Sequence, residues 1–481
     1  MDHHEIGNWN YVVRVCLVAT LGGLLFGYDT AVIAGAIGFL QKKFALSAAL
    51  EGWAASCALL GCVIGVSISG LFSDRFGRRR LLILSGVLFG VSAIGTALPP
   101  DLTWFVIFRT IGGIGVGAAS MAAPMYIAEI APAGIRGRMV SVNQLAIVSG
   151  MLIIYFVNYF IARGGDEVWN IEYGWRWMFA SGLLPALLFL VLLITVPESP
   201  RWLAEHGRRN EALTVLTRVN GTEAAGREIA EIEAAAAVES ATLSQFVRCG
   251  PATVLVIGVS LAVLQQVTGI NVFLYYGPEI FKKLGSGTDV ALLQTLTVGA
   301  VNLLFTIVAI YSVDRWGRRP LMLMGAAGMG ICLFAMGAVS YVGRTELWVL
   351  LLILGYIGCF ALSIGPVTWV ILSEIFPTKI RGRALALSTF CLWIANFVVS
   401  QTFPMMNENR WLVDTFHHAF PFWVYGTLCL VEILFVWRMV PETKGQSLEE
   451  IERKWSRGSG PEIHSGSTNE ERATNADSRN L

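Results

Sequence analysis

Charged residues are scarce in this sequence. Asp, Glu, Lys and Arg make up 14% of its 481 residues, whereas apolar residues make up 55%. A soluble protein of this size carries about 25% charged residues. Together with a mean hydropathy of +0.61, this scarcity excludes an ordinary soluble domain and predicts an integral membrane protein.

Several functional signals are also missing. The N-terminus MDHHEIGNWN has no basic segment, and the first apolar run is too long for a cleavable signal peptide. The net charge of +1 argues against nucleic acid as a partner. The eight cysteines lack metal-ligand spacing, so we expect no metal and no other cofactor. Because no nucleophile–base set and no phosphate-binding loop stand out, we do not expect an enzyme.

Long apolar runs take the place of the missing charge. Each is long enough to cross a hydrocarbon layer of about 30 Å as a helix. Twelve such spans, called spans 1 to 12 below, are predicted near 11–40, 53–72, 81–98, 102–126, 139–162, 177–196, 253–281, 291–313, 320–342, 347–376, 384–403 and 420–440. The predicted fold class is therefore an all-α membrane protein with two six-helix pseudo-repeats.

Polar segments divide the chain into four regions. They are an N-terminal half over 1–196, a helical linker over 197–252, a C-terminal half over 253–440 and a C-terminal segment over 441–481. Arginine and lysine concentrate in the loops after spans 2, 4, 8 and 10, so the positive-inside rule places both termini and the linker in the cytoplasm. Short amphipathic helices are expected from Ser199, over 223–238 and over 448–455, followed by a disordered tail.

Three motifs occur once in each half. Asp74-Arg75-Phe76-Gly77-Arg78-Arg79 recurs as Asp314-Arg315-Trp316-Gly317-Arg318-Arg319. A Glu followed by Ile-Arg-Gly-Arg occurs at 129–138 and again at 374–383, and Pro-Glu-Ser at 197–199 matches Pro-Glu-Thr at 441–443. Two parallel six-helix halves with a substrate between them are a transporter architecture.

Acidic and basic members of these motifs can pair at the helix ends of each half. Such pairs predict a conformational latch that forms and breaks as the cytoplasmic ends move. The alternative is that the arginines only fix the topology. The candidate latch residues are Asp74, Arg75, Arg78, Glu129, Arg136 and Glu198 in the first half and Asp314, Arg315, Arg318, Glu374, Arg381 and Glu442 in the second.

One carboxylate, Asp29, lies inside span 1. An ionised Asp inside a membrane helix costs about 2.5–3.5 kcal/mol, so a partner is expected. Arg109, inside span 4, is the basic residue that the sequence offers. The pair is a candidate proton site, and a static buried ion pair is the alternative. Glu432, inside span 12, has no assigned partner.

Span 7 carries a group of hydrogen-bonding side chains. Gln265, Gln266, Asn271 and Tyr275 interrupt an otherwise apolar run, and Gly269 lets the helix open there. Amides donate and accept hydrogen bonds, which suits a neutral polyol. The alternative is that these side chains only join neighbouring helices.

These motifs together resemble the sugar porter family of the major facilitator superfamily. The resemblance rests on the two Arg-x-Gly-Arg-Arg loops, PESPR at 197–201, PETKG at 441–445 and the Gln265-to-Asn271 motif, and it extends to about residue 455. Within the family, the sequence is most similar to bacterial D-xylose/proton symporters.

The resemblance implies further site residues. In addition to the span 7 group, Gln144 and Trp369 would contact the sugar, and Phe26, Gly365 and Trp393 would form stacking and closing surfaces. Two positions depart from the xylose symporter pattern, since Met151 and Leu392 stand where glutamines are expected.

The function implied is proton-coupled import of an aldose, D-xylose or D-glucose, by alternating access. The family's symporters use an Asp at the position of Asp29 to take up the proton. The expected partners are a monosaccharide, a proton and the lipid bilayer of a bacterial inner membrane, with the protein acting as a monomer. A passive sugar uniporter and a non-transporting sugar sensor remain as alternatives.

Overall fold

The computed structural model describes residues 8–236, 252–283, 285–343, 347–376 and 381–444. In those ranges the regular secondary structure is helical, and twelve helices are long and apolar enough to cross a membrane, as predicted. These spans are Trp9–Phe44, Ala48–Phe76, Arg78–Ala97, Leu102–Ile130, Ile135–Arg163, Glu167–Leu193, Thr253–Lys283, Thr288–Val313, Arg318–Tyr341, Trp348–Ile375, Gly382–Asn407 and Phe420–Met439.

Span 1 lies at the centre of the N-terminal half. Its first turn is capped by Asn8, whose side chain accepts a hydrogen bond from the Tyr11 backbone N–H at 3.0 Å. The helix ends where Ala45 adopts a left-handed conformation, and Lys42 and Lys43 lie in its last turn, where cations are favoured. Span 1 packs against spans 2 to 6 of its own half and against span 7.

Span 6 begins ten residues before its predicted start. The segment from Glu167 carries acidic residues, which hid its helical character in the sequence. In the structure Asp166 caps the helix by accepting from the Trp169 backbone N–H at 2.8 Å. Lys42 and Lys43 of span 1 pair with Glu167 and Glu172. The charges at this end of span 6 are therefore satisfied outside the apolar bundle.

Two spans of the C-terminal half are broken. Span 7 consists of helices Ala252–Val267 and Ile270–Lys283, separated at Gly269, whose φ of +92° favours glycine. This break was predicted. Span 10 consists of Leu347–Leu362 and Ile364–Ile375, a break that was not predicted. Pro366 has no N–H to donate to the Leu362 carbonyl, so the helical hydrogen bonding is interrupted there.

Contacts between the halves lie on the side away from the arginine-rich loops. Ser56 Oγ of span 2 donates to Gln401 Oε1 of span 11 at 2.9 Å, and Gln401 Nε2 donates to the Ala49 carbonyl at 3.0 Å. The hydroxyl of Tyr155 on span 5 donates to the Leu274 carbonyl of span 7 at 2.7 Å. The two halves are therefore joined at that side of the molecule.

Short helices form the linker between the halves. They are Pro200–Glu205, Arg209–Asn220 and Thr222–Ala236, which agrees with the helices expected from Ser199 and near 223–238. A further short helix, Arg410–Phe416, connects spans 11 and 12. The helix expected over 448–455 and the predicted tail lie outside the described residues.

Candidate functional site

Asp29 and Arg109 form an ion pair inside the membrane region, as predicted. Arg109 Nη1 lies 3.0 Å from Asp29 Oδ2, and Arg109 Nη2 donates to the Asp29 backbone carbonyl at 3.1 Å. The Arg109 side chain is 1% exposed and that of Asp29 is 16% exposed. The guanidinium also lies over the ring of Phe179, 5.4 Å from its centroid. Span 1 is thus tied to span 4 by a charge-assisted link.

Small residues bring span 4 close to span 2. A side chain on Gly113 would collide with the backbone carbonyl of Ala58, and one on Gly117 would collide with the carbonyl of Cys62. Such glycine contacts let two membrane helices approach closely.

The amide side chains of span 7 form a connected chain. Asn271 Nδ2 donates to Gln266 Oε1 at 2.6 Å, and Gln266 Nε2 donates to Gln265 Oε1 at 3.2 Å. Gln265 Nε2 donates in turn to the carbonyls of Ile364 and Gly365 at 3.2 and 3.0 Å. The chain therefore joins the break in span 7 to the break in span 10. It uses part of the capacity of three amides, and the rest can serve hydroxyl groups of a ligand.

Aromatic residues approach one another across the two halves. Phe26 of span 1 and Trp393 of span 11 have ring centroids 5.5 Å apart. The Trp393 indole N–H is buried and has no hydrogen-bond partner among the described residues. The hydroxyl of Tyr275 interacts with the side chain of Asn396, also on span 11. These contacts join spans 1, 7 and 11.

Other predicted sugar contacts are less directly connected. Trp369 of span 10 is 37% exposed, and Gln144 of span 5 is half-buried. Neither has a hydrogen bond to the amide chain among the described residues. Met151 and Leu392, the two departures from the expected pattern, are both buried in the apolar core.

The first half carries a network at its arginine-rich loop. Arg78 Nε lies 3.0 Å from Glu129 Oε2, and Ser199 Oγ donates to the same Glu129 oxygen. Glu198 accepts from the Arg79 backbone N–H at 3.0 Å. Gly77, with φ of +101°, is required because a side chain there would collide with the Glu198 carboxylate.

The second half repeats this network. Arg318 Nη2 lies 2.9 Å from Glu374 Oε1, and Thr443 Oγ1 donates to Glu374 Oε2 at 2.6 Å. Glu442 accepts from the backbone N–H groups of Arg318 and Arg319, both at 3.0 Å. Partial burial raises the pKa of Glu442, but the backbone donors outweigh it and hold the pKa below its usual value.

The remaining candidate latch residues contribute less. Asp74 lies 3.6 Å from Arg78 but is 77% exposed, so this pair is weak. Arg75, Arg136 and Arg315 are exposed at the ends of helices. The side chains of Asp314 and Arg381 lie outside the described part of the structure.

Known proteins match this chain over nearly its full length. The family model described as "Sugar (and other) transporter" matches residues 15–455. The chain belongs to this sugar transporter family.

Individual relatives include sugar-proton symporters. The D-xylose-proton symporter of Escherichia coli strain K12 is 50% identical, with 93% of this chain and 96% of the relative covered. The arabinose-proton symporter of Bacillus subtilis strain 168 is 44% identical, with coverage of 94% and 96%. A structure of the E. coli xylose transporter in an inward-open conformation matches with a TM-score of 0.82 and 46% identity, covering 92% of this chain and all of that chain.

Some residues of the transporter's site were missed by sequence reasoning. Ser199 and Thr443 donate to Glu129 and Glu374, and their place in the repeated Pro-Glu-Ser/Thr motif was the available signal. The hydroxyl group of Tyr28, the residue directly before Asp29, shares a hydrogen bond of 2.8 Å with Ser181 Oγ. No sequence signal pointed to Ser181, because span 6 was predicted only from its apolar character.

Glu432 has no hydrogen-bond partner in the part of the chain that the structure describes. Its side chain is 0% exposed, and neither carboxylate oxygen has a hydrogen-bond partner among the described residues. The structural pair that the sequence left open for this residue is therefore not formed within those residues.

Proposed function

We propose that this protein is a proton-coupled symporter that imports an aldose, D-xylose or D-glucose, by alternating access. The observation that carries the proposal is the Arg109–Asp29 ion pair, buried in the membrane at 3.0 Å in a member of the sugar transporter family. A buried charge pair that joins two helices of one half can change state by binding one proton.

Asp29 is the proposed proton site. Protonation would neutralise its carboxylate, weaken the link from span 1 to Arg109 and free span 1 to move. One proton moving through about 150 mV supplies about 3.5 kcal/mol. That free energy corresponds to sugar accumulation on the order of 300-fold.

The sugar is proposed to bind between the halves. The amides of Gln265, Gln266 and Asn271 would bind its hydroxyl groups, with Gln144, Tyr275 and Trp369 as further contacts. Phe26, Gly365 and Trp393 would pack against the C–H face of the ring and close the site. A hexose fits the proposal as well as a pentose does, because Met151 and Leu392 provide apolar walls where amides were expected.

Movement of the two halves is proposed to alternate access to this site. Each arginine–glutamate network lies within one half and holds the ends of its helices together. We propose that these networks act as latches that release when the cytoplasmic ends rearrange. The proposal also places both termini in the cytoplasm and the protein, as a monomer, in a bacterial inner membrane.

Uptake into proteoliposomes tests the proposal. Labelled D-xylose and D-glucose would be offered with and without an inward proton gradient, and a protonophore would serve as the control. Accumulation above equilibrium only with the gradient is expected for a symporter. Equilibration without accumulation would identify a uniporter, and binding without any flux would identify a sensor.

A further inference from the structure

A small cavity lies next to Asp29 inside the N-terminal half. It is enclosed by spans 1, 3 and 6, and its lining includes Tyr28, Asp29, Ala93, Thr96 and Gly182. Its volume, about 10 Å³ for the centre of a water molecule, is about what one water needs. The cavity is lined by residues of the first half, whereas the amide chain belongs to the second half.

Polar atoms with unused hydrogen-bonding capacity surround Asp29. Ser92 Oγ and Arg109 Nε are buried and have no partner among the described residues. A side chain on Gly112 would collide with Ser92 Oγ, and its Cβ would lie 3.5 Å from Asp29 Oδ1, so the serine hydroxyl and the carboxylate flank the same point. Buried water commonly satisfies such groups.

A short polar path leads from the cavity into span 6. Tyr28, which lines the cavity, shares a 2.8 Å hydrogen bond with Ser181 Oγ. Ser181 Oγ also lies 2.6 Å from the Met178 carbonyl. These hydroxyl groups can relay a proton, because each can accept one hydrogen bond and donate another.

Most ionisable groups near Asp29 lie on spans that do not line the cavity. Arg109 approaches from span 4, Cys57 and Cys62 lie on span 2, and Tyr275 approaches from span 7. Tyr28 is the ionisable residue of span 1 beside Asp29. The lining residues of spans 3 and 6 are not ionisable. A proton that arrives through this cavity therefore needs a water molecule or a hydroxyl group to carry it.

We infer that the cavity is a water site through which the proton reaches Asp29, separate from the path of the sugar. This inference rests on the proposed symport. The water gives one proton to an Asp29 carboxylate oxygen and is resupplied with one proton from the aqueous phase by way of the Tyr28 and Ser181 hydroxyl groups, so the water and both hydroxyl groups remain neutral. After the halves have rearranged and the sugar has crossed, the water takes the proton from Asp29 and passes it to the cytoplasmic side.

Gly182 offers a way to fill the cavity. A Cβ at this position would lie 3.3 Å from the Phe179 carbonyl, 3.7 Å from Tyr28 Cε1 and 3.8 Å from Ala93 Cβ. Alanine at this position requires a shift of a few tenths of an ångström against the Phe179 carbonyl, and the larger side chain of Gly182→Val would occupy the space of the water. The matched control is Gly90→Ala. A Cβ on Gly90 of span 3 would lie 3.8 Å from Leu183 Cδ1 of span 6, and Gly90 is not part of the cavity lining.

The experiment measures proton-driven uptake and sugar counterflow in proteoliposomes over a range of pH. We expect Gly182→Val to slow proton-driven uptake by about tenfold or more, to move the half-maximal pH of uptake to lower values and to leave counterflow close to wild type. Gly182→Ala and Tyr28→Phe should show the same pattern more weakly, and Gly90→Ala should match wild type.

Each outcome decides a separate question. Unchanged proton-driven uptake in Gly182→Val, with its unchanged pH profile, would overturn the inference. If Gly182→Val also loses counterflow, the substitution has damaged the fold. The pH profiles of Gly182→Ala and Tyr28→Phe then provide the test. Wild-type profiles in both variants would overturn the inference. Failure of the wild-type protein to accumulate sugar would overturn the proposed symport itself.

Discussion

Spans 1 and 4 of the first half correspond to spans 7 and 10 of the second half, yet different chemistry joins each pair. Spans 1 and 4 are continuous helices linked by Asp29 and Arg109. Spans 7 and 10 are both broken, and Gln265 donates to span 10 carbonyls across the breaks. An ion pair responds to a proton, whereas amides and free carbonyls suit hydroxyl groups. Two copies of one helix arrangement can thus carry two separate tasks.

The loop ends of the two halves have not diverged in this way. Arg78 pairs with Glu129 as Arg318 pairs with Glu374, and a hydroxyl group donates to each glutamate. A feature kept in both copies fits a task that both halves share. The differences between the halves are therefore concentrated in the membrane interior, where the ligands are proposed to bind.

The largest expected effect separates the ion pair from the amide chain. Asp29→Asn should abolish proton-driven accumulation, a loss on the order of 300-fold, because the amide cannot take up the proton. Sugar counterflow should persist, since the amide chain is intact. Proteoliposome uptake measures both. Glu432→Gln, which changes another carboxyl group in the membrane, is the control. Full accumulation by Asp29→Asn would mean that Asp29 does not couple proton entry to sugar uptake.

The next effect tests whether the two loop networks are equivalent. The side chains of Arg78 and Glu129 are 6% and 10% exposed, whereas those of Arg318 and Glu374 are 12% and 22% exposed. Removing one partner of a buried ion pair costs about 3 kcal/mol or more, and exposure reduces that cost. We therefore expect Glu129→Gln to lower the thermal unfolding temperature more than Glu374→Gln does.

Unfolding in detergent micelles, followed by tryptophan fluorescence, measures this difference. Glu205→Gln is a suitable control, because its pair with Arg201 lies in the exposed linker. Equal decreases in the unfolding temperature of Glu129→Gln and Glu374→Gln would mean that the two networks stabilise their halves equally despite their different burial. A larger shift in Glu374→Gln would contradict the argument from exposure.

A smaller effect is expected at the amide chain. Gln265→Ala removes the donor to the Ile364 and Gly365 carbonyls and a proposed sugar contact, so sugar binding should weaken by about tenfold or more. Isothermal titration with D-xylose and D-glucose measures the change. Gln401→Ala, which removes an amide between the halves outside this chain, is the control. Unchanged affinity in Gln265→Ala would exclude span 7 from the site.

Sequence reasoning predicted the features that depend on composition and local rules. The twelve spans follow from hydropathy, the break at Gly269 from the glycine between polar residues, and the Asp29–Arg109 pair from the cost of burying each charge alone. The structure confirms each of these. The paired loop networks also followed from the repeated motifs.

Features that depend on three-dimensional packing were not predictable. Pro366 was a local signal for the span 10 break, but the link from that break to span 7 required knowing that Gln265 would reach the Ile364 and Gly365 carbonyls from another helix. The cavity beside Asp29 arises because Gly182 of span 6 faces Tyr28 of span 1, residues far apart in the sequence. Neither hydropathy nor a local motif contains that information.

The smallest effect concerns the carboxyl group that has no proposed task. Glu432 differs from Asp29 because it is fully buried and neither oxygen has a partner among the described residues. Burying an unsatisfied polar group costs about 1–3 kcal/mol, and methionine fills a similar unbranched volume without that cost. Glu432→Met should therefore raise the unfolding temperature and leave proton-driven uptake unchanged, whereas Glu432→Gln, which stays polar, should gain less. A loss of uptake in Glu432→Met with normal folding would instead make Glu432 a second functional carboxyl, and the division of tasks between the halves would have to include a proton site in each.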